Sequence, residues 1–170
     1  MSNDKLTPSL HEPHFVPSGP PQPLVAGEAF VAAPDTWYNL LVTYKDRRGN
    51  KTEGLMYPLG SNPSTSFYEY MVLGSSPDGL PPMKVKLHPP DANGWSTWEM
   101  HDGNYLSLKA TGWLYRSSHY PIGFRIVDGR LYNAYWGGPA GSTWRDAFVP
   151  SACYTGQGLD EFTCKLIPAP

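Results

Sequence analysis

The sequence predicts an all-β fold, β-trefoil-like with pseudo-threefold repeats or alternatively a β-sandwich, preceded by an extended Pro-rich N-terminal arm. Three observations carry this prediction. Glycine and proline number 17 and 19 among 170 residues, which removes the long runs of helix formers that bundles and coiled coils need. No window longer than about ten residues keeps apolar positions at helical spacing without an intervening glycine or proline. The six Trp, eleven Tyr and six Phe fall mostly in short runs bounded by turn residues, which is the pattern of strands.

The arm spans residues 1–34. It holds seven prolines and only two aromatic residues, Phe15 and Phe30. Proline lacks the amide donor and clashes with the preceding helical turn, so this segment is expected to be extended, either loose or laid against the domain that follows. His11 and His14 flank Glu12, but no further ligands stand at metal-binding spacing, and they read as solvated histidines. No metal and no cofactor are expected.

Residues 35–170 form the single all-β domain. Residues 38–45 (YNLLVTYK) run into the turn sequence 46–50 and return through 53–59. Further strands are expected at 67–73, at 83–87, where apolar residues alternate with lysines, and at 97–101, 105–108, 113–116, 124–127, 131–136, 143–149 and 161–167. The pairs Asp102-Gly103 and Asp128-Gly129 sit between such runs, where hairpin turns need positive φ. The total of ten or eleven strands with little or no helix is what makes the domain all-β.

The trefoil expectation rests on repetition. Thr-Trp occurs at 36–37, 97–98 and 143–144. Each copy is followed by a Tyr step (Tyr57, Tyr115, Tyr154) and then by Phe67, Phe124 or Phe162, although the spacings are unequal. With Gly-Asn-Tyr-Leu-Ser at 103–107, the domain resembles β-trefoil lectins in this general way, the pentapeptide being similar to the Gly-x-Tyr-Leu strands of fascin-like trefoils. The Gln-x-Trp repeat of the ricin type is absent, so the resemblance implies a fold and transfers no binding position.

Candidate functional residues concentrate between Trp95 and Trp136. A sugar presents an apolar C–H face and a rim of hydroxyls, so its site needs an aromatic ring beside Asp, Asn or Arg groups. Trp95, Asp102, Asn104, Asp128, Asn133, Tyr135 and Trp136 offer that combination. In residues 131–136 the two-residue period places Leu131, Asn133 and Tyr135 on one face and Tyr132, Ala134 and Trp136 on the other. The expectation is a non-catalytic, lectin-like domain with shallow sites and a glycan or glycoconjugate as partner, either alone or as a homo-oligomer.

Two alternatives belong to other classes. A toxin or membrane-active protein would place exposed Trp and Tyr at a lipid interface. A glycoside-acting enzyme would need two carboxylates across a cleft, drawn from Glu99, Asp102, Asp128, Asp146 and Glu161. The nucleophile-elbow and phosphate-loop motifs are absent.

Thirteen basic residues against fifteen acidic ones leave a formal charge of −2, which argues against a nucleic-acid partner. No stretch approaches 18 apolar residues, and residues 1–10 do not read as a signal peptide, so a cytoplasmic protein or one released without such a signal is expected. Cys153 and Cys164 flank the turn-rich run 155–158. Either they form a disulfide across a hairpin, or both stay reduced.

Overall fold

Alternation along residues 38–45 sets the first strand, with Leu40, Val42 and Tyr44 turned inward and Leu41 and Thr43 less buried. The computed structural model describes residues 13–23, 26–45, 48–58, 70–74, 79–110, 112–135, 139–143, 152–155 and 160–170; of 142–143, 152–155 and 160–161 it describes the backbone alone. Among these residues every regular element is a strand: β1 (Tyr38–Lys45), β2 (Lys51–Pro58), β3 (Met71–Leu73), β4 (Lys84–Leu87), β5 (Ser96–Met100), β6 (Tyr105–Leu108), β7 (Leu114–Ser117), β8 (Gly123–Val127), β9 (Arg130–Asn133), β10 (Ala140–Thr143), β11 (Ala152–Thr155), β12 (Asp160–Glu161) and β13 (Thr163–Pro168).

All pairings between these strands are antiparallel. One edge of β1 pairs with β13 from Tyr38 to Thr43. The other is divided between β4, at Tyr38 and Asn39, and β2, from Leu41 to Lys45. The path β3–β2–β1–β4–β5–β6–β7 then returns on itself through a bridge between Tyr70 and Tyr115, giving a nearly closed seven-stranded barrel-like sheet. Closure removes the exposed edges that an open sheet would present. The β8–β9 hairpin hangs on β5, while β10, β11 and β12 extend the sheet beyond β3.

The barrel is filled by Leu40, Met56, Trp98, Leu106, Leu108, Leu114, Phe124 and Phe162, all buried in one apolar cluster. Such a ring-rich filling closes a small barrel with few residues, because each aromatic side chain buries about 150–250 Å2. A second cluster on the other face joins Tyr70, Val72, Trp113 and Tyr115.

The tryptophans of the expected repeats do not occupy equivalent places. Trp37 precedes β1 and is half-buried, whereas Trp98 is the buried centre of β5. Tyr57 lies on β2, the second strand after Trp37, and Tyr115 on β7, the second strand after the one that carries Trp98. Trp144 and Phe67 lie outside the described residues. The Asp-Gly prediction is more informative. Asp128 (φ 51°) and Gly129 (φ 75°) make a two-residue β8–β9 turn, the left-handed pair whose twist matches the flanking strands. Between β5 and β6 only Gly103 is left-handed among residues 101–104, and Asp102 accepts the Asn104 amide.

The arm is laid against the barrel, and its non-proline amides make the attachments. Phe15 donates to the Leu108 carbonyl, Gln22 to that of Ala134 and Phe30 to that of Ile126. His14 stacks on Tyr120 with ring centroids 3.5 Å apart. These bonds occur where β6 and the β8–β9 hairpin offer backbone carbonyls, so an extended segment saturates them.

Candidate functional site

The residues expected to form a sugar site are divided between two places, and several hold the arm. Trp95 is only 2% exposed, and its indole N–H donates to the Gln22 carbonyl at 2.9 Å. Asp91 accepts its backbone amide at 3.0 Å. The exposed ring expected there is therefore corrected to a buried anchor beneath the arm. Asn133 is 1% exposed; its side-chain oxygen accepts the Tyr135 amide and its carbonyl accepts Gln22 Nε2. Tyr135 is half-buried, with its ring 6.0 Å from that of Phe15. Asp128 Oδ1 accepts the Glu28 amide at 3.0 Å, and the Asp128 amide donates back to the Glu28 carbonyl.

Asp102 and half-buried Asn104 lie apart from these, at the β5–β6 turn, where Asp102 pairs with Arg116 at 3.1 Å. Trp136 lies outside the described residues, as do Asp146 and the side chain of Glu161.

Of the two alternatives left open for the cysteines, a disulfide or reduced thiols, the described residues carry the reduced one at Cys164. Cys164 is a free, buried thiol on β13, facing Val42 of β1 in register, whereas Cys153 lies on β11, which pairs with β10 and β3. The run 155–158 therefore does not join two paired strands. Burial pushes the Cys164 thiol up to about 12. The Cys153 side chain lies outside the described residues.

What the structure does assemble is a groove of about 720 Å3 between arm residues 29–35 and the outer faces of β4, β5 and β8. Its position follows from how the edge of β8 is shared. β5 pairs with it at Gly123 and Phe124, and the arm takes over at Ile126 through the Phe30 amide. The arm and β5 diverge from that fork, and the groove opens between them. Half-buried Phe30 and Leu87 supply apolar wall, and Phe124, buried in the core, backs it.

The polar groups follow from strand alternation. Lys84, Lys86 and, just beyond the strand, His88 share one face of β4, and the register places Lys86 opposite Glu99. His88 Nε2 and Glu99 Oε1 are 2.7 Å apart, with side chains 42% and 30% exposed, and the His88 backbone is fixed by donation to the Thr97 carbonyl. Lys86 turns instead over the Trp37 ring, with Nζ 5.3 Å from its centroid. Arg125, Ser96 and Asp35 complete the polar lining, and Asp35 has a left-handed backbone (φ 53°).

His88, Lys86 and Arg125 were not singled out from the sequence. The alternation of lysines through 83–87 was the signal for a basic face, and it extends to His88. Of the five carboxylates considered for a glycosidase pair, Glu99 is the one that lines the groove among the described residues.

No group of three His, Cys, Asp or Glu side chains among the described residues is placed to hold a metal ion. No helix among them is long and apolar enough to cross a membrane. Compared with known protein families, curated proteins and solved structures, the chain matches none.

Proposed function

We propose that this chain is a non-catalytic, lectin-like β-domain that binds carbohydrate in the groove between arm and barrel. The observation that carries the reading is the His88–Glu99 pair standing beside the apolar wall of Phe30 and Leu87. A sugar ring lays its C–H face against such a wall and exchanges hydroxyl hydrogen bonds with a carboxylate and an imidazole. The site thereby moves from the loops to the outer face of β4, β5 and β8. The finer trefoil reading of the barrel rests on the sequence order of Trp, Tyr and Phe and is not needed for this proposal.

A glycan array probed with the purified chain, followed by calorimetric titration of the best ligand, tests the proposal. Binding that is lost in Glu99→Gln supports it. No binding at high protein concentration overturns it, and dye release from liposomes without sugar binding would favour the membrane-active alternative. The glycoside-acting alternative keeps Glu99 of its five carboxylates in this groove, with Asp35, not among those five, as the other carboxylate of the lining. It predicts turnover of aryl glycosides that either Asp35→Asn or Glu99→Gln abolishes.

A further inference from the structure

The outer face of β4 does not end with the groove. Lys84, Lys86 and His88 follow one another on that face, and in an extended chain the first and last stand about 13 Å apart. Lys86 and His88 line the groove, whereas Lys84 lines a second recess of about 510 Å3 together with Trp37 and His101. Asp35, which is exposed, belongs to both linings. Lys86 marks the junction again, because its ammonium leaves the groove to lie over the Trp37 ring of the recess, 5.3 Å from the centroid. Groove and recess therefore form one course along β4, with Asp35 and Lys86 at the step between them. Each half carries the parts that a sugar ring uses. The groove has Phe30 and Leu87 beside the His88–Glu99 pair. The recess has the half-buried Trp37 indole beside the exposed imidazole of His101, whose backbone amide donates to the Lys84 carbonyl at 3.3 Å. In the groove Lys86 and Arg125 stand against Asp35 and Glu99, so neither charge is in excess and the walls suit an uncharged ligand.

Resting on the carbohydrate reading above, we propose that the site takes a neutral, linear oligosaccharide rather than a single sugar, with one end of the chain in the groove and the other against Trp37 in the recess. A single ring occupies one of the two and gains nothing from the other. A linked chain engages the second without losing its translational freedom again, so affinity rises with length until both are filled. Trp37 sets this preference for length, because it is the aromatic surface of the recess and the Lys86 ammonium holds its ring in place.

The experiment titrates cello-, xylo- and manno-oligosaccharides of increasing length, from the monosaccharide upward, into the full chain and into Trp37→Ala and His101→Ala. Thermal melts establish which variants fold, and His101→Ala, a change at an exposed side chain, decides alone if Trp37→Ala does not. In at least one series the affinity is expected to rise at least about tenfold with length and then level off. Trp37→Ala should erase most of that rise while leaving the shortest bound sugar unaffected, and His101→Ala should reduce it. Affinity independent of length, or a rise undiminished in the variants that fold, overturns the inference and leaves the carbohydrate reading standing. Failure of all three series while another sugar binds on the array does the same. No sugar binding of any kind overturns the two together.

Discussion

The indole N–H of Trp95 donates to the backbone carbonyl of Gln22 at 2.9 Å, joining residues 73 positions apart. This bond ties the Pro-rich arm to the turn that leads into β5. Trp95→Phe keeps most of the ring but leaves the Gln22 carbonyl without this donor, at a cost of about 1–3 kcal/mol. A lower thermal midpoint and faster proteolytic cleavage within residues 13–23 would check this, and unchanged cleavage would show that the bond does not hold the arm.

Gly123 has a packing reason to lack a side chain. A β-carbon there would lie 2.7 Å from the Trp95 β-carbon and 3.5 Å from that of Ala134. Gly123→Ala should therefore push β8 away from β5 and destabilise the domain by about 1–3 kcal/mol. Chemical denaturation measures the loss, and a neutral result would mean that the hairpin shifts freely.

Asp128 does two jobs in the β8–β9 turn. It adopts a left-handed φ of 51°, and it accepts the Glu28 amide of the arm. Asp128→Ala loses the bond and strains the turn, costing about 1–3 kcal/mol. Asp128→Gly loses only the bond, so its urea midpoint should fall between wild type and Asp128→Ala. Equal midpoints for the two variants would assign the whole effect to the arm contact.

The Cys164 thiol, raised from 9.0 to about 12 by burial, makes stability depend on alkaline pH. The folded chain keeps this proton where the unfolded chain has lost it, so the contribution is intact below pH 9. It declines as pH rises toward 12 and is gone above that. Urea midpoints should fall between pH 9 and 11 more steeply in wild type than in Cys164→Ala. Iodoacetamide should leave Cys164 unmodified in the native protein and alkylate it in urea.

His88 and Glu99 are both partly exposed, so their pair adds little to folding. His88→Gln and Glu99→Gln should each change stability by less than about 1 kcal/mol. Both should nevertheless weaken sugar binding in the groove. Large thermal shifts in either variant would recast the pair as structural.

Much of the strand pattern was legible because it is local. Residues 38–45 and 105–108 read as strands from alternation and are β1 and β6 with the same bounds. The Asp128-Gly129 turn was legible because few residue pairs tolerate two successive left-handed conformations. Repetition was a poorer guide. Thr36-Trp37 and Thr97-Trp98 look alike in sequence, yet Trp37 stays near the surface beneath Lys86 while Trp98 fills the barrel.

Sequence alone determined that the chain builds strands and where two of its hairpin turns lie, and it anticipated the extended course of arm residues 13–23 and 26–34. Only the tertiary structure decided which side chains remain accessible. Alternation assigns neighbours to opposite faces but does not say what covers each face, and here one face is covered by a segment about a hundred residues away in the chain. That covering took Trp95 and Asn133 out of reach and opened the groove lined by Lys86, His88, Glu99 and Arg125.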